Sequence, residues 1–100
     1  MIVERRVFQA KVGQSGAVVG KLKEAENLFS GVGLPSGRIY TDYFSGATDR
    51  VAWEIEIESL GALEGMMSAI DAEAAAFGAW FGELSALIEG ANVEHWTIES

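Results

Sequence analysis

Two charged residues in the first apolar segment of the chain are the strongest candidates for chemistry. The segment from Ile2 to Val12 is rich in Val, Ile and Phe, which is typical of a β-strand. If Phe8 faces the core, the two-residue period of a strand places Glu4 and Arg6 on the same inner face. A guanidinium can bind an anionic or carbonyl oxygen, and a carboxylate beside it can orient the ligand or act as a base. The pattern therefore predicts that Glu4 and Arg6 bind a ligand. The alternative is that the two side chains only form an ion pair with each other and bind nothing else.

Three further residues could line the same cavity. Tyr40 and Asp42 share one face of a second predicted strand, and that face is the inner one if the hairpin pairs Phe44 with Val51. A shift of one residue in this register would turn both side chains outward. Trp53 lies on the core face of a third predicted strand. Tyr40, Asp42 and Trp53 are therefore candidate ligand-binding residues as well.

His95 is the only histidine, and histidine is the residue type that ordinarily gains and loses a proton near neutral pH. It is a candidate for proton transfer. On the parity of the last predicted strand it lies opposite Trp96 and Ile98, on the side of the sheet that we assign to a dimer, which favours a structural role. A single histidine with scattered carboxylates and no cysteine lacks the ligand clustering of transition-metal sites. We expect no metal and no cofactor.

The spacing of apolar residues predicts the elements that position these side chains. After the first strand we expect a helix that has Ser15 as its N-cap and ends at Gly31 or Gly33. Strands from Arg38 to Phe44 and from Val51 to Glu58 follow, then a helical stripe over residues 60–89 with a break near Asp71, and a strand from Asn92 to Glu99. This order predicts an α+β, ferredoxin-like βαββαβ fold with a four-stranded antiparallel sheet and helices on one face. Right-handed crossovers place the first strand between the third and the fourth.

Composition and charge limit the partners. The chain has 100 residues, of which 49% are hydrophobic and 22% charged, so we expect a single domain over residues 1–100. The net charge is -8, and all lysines and arginines lie in the first half, which makes nucleic acid and anionic membranes poor partners. No apolar run is long enough to span a bilayer, and Glu4, Arg5 and Arg6 interrupt the opening segment where a secretory signal would be apolar. We expect a cytoplasmic protein.

The face of the sheet that carries no helices should be covered by a second copy of the chain. It is predicted to carry Val3, Val7, Thr41 and Tyr43 among charged residues, and monomers seldom leave such a mixed surface bare. Closed two-fold symmetry is the commonest way to cover it, so we expect a homodimer. The interface should also include the row Glu54, Glu56 and Glu58.

Three stretches of the chain resemble the dimeric α/β-barrel proteins, and within them the NIPSNAP-like branch. These are Ile2 to Phe8 with Lys11-Val12-Gly13 after it, Val51 to Glu54 running into Glu58-Ser59-Leu60, and Phe77 to Phe81 followed by a strand with Glu94-His95-Trp96. The resemblance implies a ferredoxin-like subunit, a homodimer that forms a barrel and, in many members, a small-molecule pocket between helices and sheet. The helix-borne histidine of haem-binding members has no counterpart, since Phe81 stands in that neighbourhood.

Members of this superfamily include cofactor-independent monooxygenases, haem-degrading enzymes and polyketide cyclases, so the fold does not select a reaction. The first hypothesis is a homodimer that binds an oxygen-bearing apolar small molecule in a pocket of each subunit, as a cofactor-independent monooxygenase or cyclase would. The alternative is a non-catalytic dimerisation or regulatory module. A cavity larger than roughly 300 Å³ with Glu4 and Arg6 at its wall would favour the first.

Overall fold

A four-stranded sheet and three helices make up the computed structural model, which describes residues 1–42 and 46–99. The elements in chain order are β1 (Ile2–Ala10), α1 (Ser15–Gly31), β2 (Arg38–Thr41), β3 (Arg50–Ile57), α2 (Leu60–Ala72), α3 (Ala74–Ser85) and β4 (Ile88–Thr97). The sheet is antiparallel with the order β2-β3-β1-β4, so β1 lies between β3 and β4 as the crossover rule predicts. None of the helices in the described ranges is long and apolar enough to cross a membrane.

The helices pack on one face of the sheet and form the core with it. In β3 the apolar residues Val51, Trp53, Ile55 and Ile57 are all buried, while the residues between them point to the other face. Helices α1, α2 and α3 contribute to the same core, chiefly through Val18, Leu22, Ala25, Phe29, Met66, Phe77 and Leu84. The two-residue period of β3 and the three-to-four-residue period of α1 therefore produce the predicted α+β, ferredoxin-like architecture.

The last strand begins four residues earlier than expected. The helical stripe was predicted to continue to residue 89, but α3 ends at Ser85 and β4 begins at Ile88. Ile88 pairs with Ala10 beyond a register shift in β1, and the Leu87 carbonyl accepts a hydrogen bond of 2.9 Å from the Lys11 amide. Because Leu87 and Ile88 are apolar in either element, periodicity alone could not separate the end of the helix from the start of the strand.

The register of β2 differs from the expected one. Val51 pairs with Thr41, so the predicted pairing of Val51 with Phe44 is wrong. Alternation from this pair puts Thr41 on the helix side, where we had expected the open face, and puts Tyr40 on the open face. Phe44 and Tyr43 lie outside the described residues.

The parity of β4 is also the reverse of the prediction. Glu4 pairs with His95 and Val3 pairs with Trp96, so His95 lies on the helix side of the sheet and Trp96 on the open face. The expectation failed because the aromatic Trp96 was assigned to the core, whereas β4 is an edge strand that the helices leave largely uncovered. Trp96 is 54% exposed, so hydrophobicity does not mark the inner face of this strand.

Candidate functional site

A cavity of about 400 Å³ lies between the sheet and helices α2 and α3. Its wall is apolar except for three charged residues, Glu4 and Arg6 from β1 and Asp71 from α2. The cavity is larger than the roughly 300 Å³ at which ligand pockets begin, and Glu4 and Arg6 are both at its wall. Ligand sites are typically of this kind, mainly apolar with a few polar groups that fix the orientation of the bound molecule.

Five aromatic rings form a continuous chain along the wall. The ring centroids of Phe77 and Phe29 are 5.8 Å apart, those of Phe29 and Trp53 are 5.1 Å apart, and those of Trp53 and Trp80 are 6.3 Å apart. Phe81 continues the chain at 6.4 Å from Trp80. The rings are tilted or edge-on to one another, as aromatic pairs prefer. Such a wall suits a flat apolar molecule.

Helix α1 holds the two indole rings of this wall in place. The Trp53 Nε1 donates a hydrogen bond of 2.8 Å to Glu26 Oε1, which also accepts a hydrogen bond of 2.8 Å from the Gly37 amide. The Trp80 Nε1 donates to the Lys21 carbonyl at 2.6 Å. Both indole N–H groups therefore have partners, which leaves the ring faces for packing.

Glu4 is the buried charged residue of the site, with 5% of its surface exposed. Its Oε1 lies 3.1 Å from His95 Nε2 and 3.5 Å from a terminal nitrogen of Arg6. The side chains of Arg6 and His95 are each 38% exposed. Both contacts use the same oxygen, and among the described residues no hydrogen bond reaches Oε2. The carboxylate is thus anchored through one oxygen.

The structure brings together three of the five predicted ligand-binding residues. Glu4, Arg6 and Trp53 line the cavity, and Trp53 is 3% exposed. His95 stands beside Glu4 at the edge of this group rather than on the opposite face of the sheet.

Tyr40 and Asp42 do not line the cavity, and their predicted positions are wrong. The Tyr40 hydroxyl donates to Glu54 Oε1 at 3.4 Å on the open face. The Asp42 carboxylate accepts a hydrogen bond of 2.7 Å from Arg50 Nε. Both residues are displaced from the site because of the β2 register.

Sequence reasoning missed Asp71 and Glu26. Asp71 was used only as a helix break, although it follows Ile70 on a helix that packs on the sheet. Glu26 lies four residues after Leu22, on the buried face of α1, and this helical spacing was the available signal. Phe81 lines the cavity and is 59% exposed.

Ion pairs outside the cavity connect the basic first half to the acidic second half. Arg5 Nε donates to Glu54 at 2.8 Å and lies near Glu94, and the hydrogen bond to Glu54 raises the pKa of Arg5. Hydrogen bonds to Glu83 and Glu24 raise the pKa of Lys21. In the described ranges no three His, Asp or Glu side chains cluster as a metal site would require, and the expectation that the protein needs no metal stays a prediction.

No protein-family model matches the chain, and no curated protein matches its sequence. Several solved structures have similar folds, among them the following three. A NIPSNAP family protein from Agrobacterium tumefaciens is 20% identical with a TM-score of 0.78, over 98% of this chain and 92% of that chain. A dimeric ferredoxin-like protein from an uncultured marine organism is 15% identical with a TM-score of 0.70, over 99% and 88%. An antibiotic biosynthesis monooxygenase is 12% identical with a TM-score of 0.69, over 100% of both chains. The chain therefore has the ferredoxin-like fold that the NIPSNAP family structure shares.

Proposed function

We propose that this protein binds an oxygen-bearing, largely apolar small molecule in the cavity between its sheet and helices α2 and α3. The observation that carries the proposal is an aromatic cavity of about 400 Å³ with Glu4 and Arg6 at one wall. The rings would hold the apolar part of the ligand, and the charged pair would face its oxygen atoms. A core-filling role for these rings would leave no such volume.

The charged wall defines which ligand oxygens fit. The Arg6 guanidinium donates hydrogen bonds only, so it pairs with a carbonyl, carboxylate or phenolate oxygen. The Glu4 carboxylate accepts them, so it pairs with a hydroxyl group. A planar molecule with a hydroxyl group at one end satisfies both, because the hydroxyl can donate to Glu4 and accept from Arg6.

The reaction that we propose for this site is a cyclisation of the bound molecule or its oxidation by dioxygen, in either case without a cofactor. Both reactions start when a base takes a proton from the substrate and leaves a carbanion or enolate. A buried carboxylate at the cavity wall, Glu4, can supply that base. The likeness to a monooxygenase is one of fold, and the proposal rests on the residues of this cavity.

We further propose that the protein is a homodimer in which each subunit holds one cavity. The open face of the sheet carries Trp96 at 54% exposure and Tyr40 at 42%, with Val3 and Val7 half-buried near its centre. Apolar surface of this kind is typical of an interface. A similar fold described as dimeric supports the same arrangement. A second copy packed on this face would leave the cavity, which lies on the helix side, accessible.

Two glycines of α3 allow a matched test of the binding proposal. Gly78 lines the cavity, and a Cβ added there would meet no atom within 4 Å. Gly82 lies four residues further along the same helix with equally open surroundings, but it does not line the cavity. Leucine at either position replaces glycine in a helix and should stabilise it by about 1 kcal/mol. Only leucine at position 78 would occupy ligand space.

The probe is 7-hydroxyflavone, a planar apolar molecule with a hydroxyl group, and binding is measured by isothermal titration calorimetry. Wild type and Gly82→Leu should bind it alike, and Gly78→Leu should weaken binding by about tenfold or more, which corresponds to about 1.4 kcal/mol. Equal affinity in all three proteins, or no binding by wild type, would overturn the proposal.

A further inference from the structure

We infer that Glu4 and His95 act as one proton-transfer pair, in which Glu4 takes a proton from an acidic hydroxyl or carbon of the bound molecule and His95 holds it. The inference rests on the proposed binding function and adds to it the class of ligand, a molecule that can lose a proton to become a phenolate or enolate. Glu4 is the catalytic residue because it meets the ligand. His95 does not line the cavity and is a positioning residue.

The backbone fixes the two side chains opposite each other. Glu4 of β1 and His95 of β4 are directly paired in the antiparallel ladder, on the helix side of the sheet. Paired residues on one face of a sheet have their side chains within contact distance, and here Oε1 and Nε2 are 3.1 Å apart. A hydrogen bond between a carboxylate and an imidazole in this geometry lets a proton move between them.

The pair connects the interior to the surface. The Glu4 side chain is 6% exposed, while that of His95 is 38% exposed. Across the described part of the chain, the Nδ1 of His95 has no hydrogen-bond partner. The imidazole can therefore exchange a proton with water on one side while it contacts the buried carboxylate on the other.

The proton transfer balances without a co-reactant. The O–H or C–H bond of the ligand breaks, its electron pair stays on the ligand, and the proton leaves through the Glu4 carboxylate. The proton ends on Nε2 of an imidazole that already carries a proton on Nδ1, so His95 becomes an imidazolium while Glu4 remains a carboxylate. Arg6 lies at the same wall and faces the new ligand anion with its positive charge. Water later takes the Nδ1 proton and leaves the Nε2–H tautomer, and exchange of the ring protons with water restores the Nδ1–H tautomer that can accept the next proton.

The test uses 7-hydroxyflavone again, because its neutral and anionic forms absorb at different wavelengths. Spectra are recorded at a pH where the free probe is mostly neutral. Bound to wild type, the probe should show the anionic band. Glu4→Gln removes the base. His95→Gln keeps a hydrogen-bonding side chain beside Glu4 but cannot hold the proton, so the probe should bind to both variants in its neutral form. Glu64→Gln, an exposed carboxylate of α2 outside the cavity wall, is the charge-matched control and should keep the anionic band.

The His95→Gln variant separates proton transfer from a structural role. If His95 has only a structural role, the probe bound to His95→Gln should still show the anionic band. That result would overturn the inference. Loss of the band in Asp71→Asn but not in Glu4→Gln would also overturn it, because the base would then be Asp71. Binding of the neutral probe by wild type would contradict the inference alone, whereas no binding would contradict the proposed function. Flavone, which lacks the hydroxyl, shows separately whether each variant keeps its cavity.

Discussion

Glu4 carries a charge into the interior of the protein, and its two neighbours determine what this costs. A buried carboxylate without partners would cost several kcal/mol, and a carboxylate with a partly exposed arginine and histidine on one oxygen costs less. Arg6 and His95 keep contact with solvent, so neither contributes a second buried charge. The free-energy cost of burying charge in this site therefore comes mainly from Glu4.

We expect Arg6→Met to separate binding from stability. Methionine replaces the apolar stem of arginine, and the Arg6–Glu4 contact is partly exposed, so the free energy of unfolding should change by about 1 kcal/mol or less. The affinity for 7-hydroxyflavone should fall by about tenfold or more, because a charge-assisted hydrogen bond contributes about 1.5 to 3 kcal/mol. Chemical denaturation and calorimetry measure the two effects. Loss of folding, or unchanged affinity, would make Arg6 a structural partner of Glu4.

Glu4, Arg6 and Trp53 could be identified from the sequence because every second residue of a strand lies on the same face. Once one residue of the strand is known to be buried, the residues two positions away are assigned to the same side. It failed for Tyr40 because a hairpin register depends on the conformation of the connecting loop, which alternation does not specify. The face of His95 was missed since β4 is an edge strand whose inner side is only partly covered. Alternation divides the residues of a strand between two faces. Only burial shows which of the two faces packs against the helices.

At the scale of elements, α1 and the start of β2 support the cavity from behind. Glu26 joins α1 to the Trp53 indole and to the Gly37 amide through a single oxygen. Gly37 needs to be glycine for a steric reason, since an added Cβ would clash with the backbone oxygen of Glu54 and lie 2.9 Å from Cγ1 of Ile55. The entry into β2 is therefore closely packed against β3.

We expect Gly37→Ala to destabilise the protein by about 1 to 3 kcal/mol, the usual cost of overpacking. The neighbouring backbone cannot move away without disturbing the β2–β3 ladder. Gly20→Ala is the matched control, because Gly20 is an exposed position within α1 and its added Cβ would meet nothing within 4 Å. That variant should be as stable as wild type or up to about 1 kcal/mol more stable. Equal stability of both variants would contradict the close packing at Gly37.

The elements also show what periodicity can predict. The core face of β3 and the extent of α1 to within a few residues follow from their apolar spacing. The predicted N-cap, Ser15, is the first residue of α1, and the N-cap is Gln14. The stripe over residues 60–89 was less informative because its helices are apolar on more than one side. Met67 and Phe81 are exposed and line the cavity, so the stripe includes residues around the cavity as well as residues of the core. A helix that borders a cavity has apolar residues that core packing does not require.

At the scale of the whole molecule, the two faces of the sheet have separate roles in this account. The helix side holds the cavity, and the open face holds the proposed dimer interface. On the open face Arg5 lies between Glu54 and Glu94, with apolar Val7 two residues away on the same central strand. The opposite charges of β1 and its two neighbours pair within the subunit, which leaves Val7 and Trp96 for contact with a second copy.

We expect Val7→Glu to weaken the homodimer and to spare the cavity. A glutamate at the centre of the open face would bury an unpaired carboxylate at the interface, so the dissociation constant should rise by about tenfold or more. Sedimentation equilibrium or light scattering measures the mass, and calorimetry with 7-hydroxyflavone checks that each subunit still binds. A wild-type protein that is monomeric at micromolar concentration would contradict the dimer.

The three methionines of the chain allow the most direct test of the cavity as the binding site. Met66 and Met67 line the cavity, whereas Met1 stands at the exposed start of β1. Their methyl groups can be labelled with ¹³C and followed by NMR while 7-hydroxyflavone is added. The account predicts that the Met66 and Met67 signals shift in proportion to the bound fraction while the Met1 signal stays in place. Binding that moves Met1 alone, or none of the three, would contradict it.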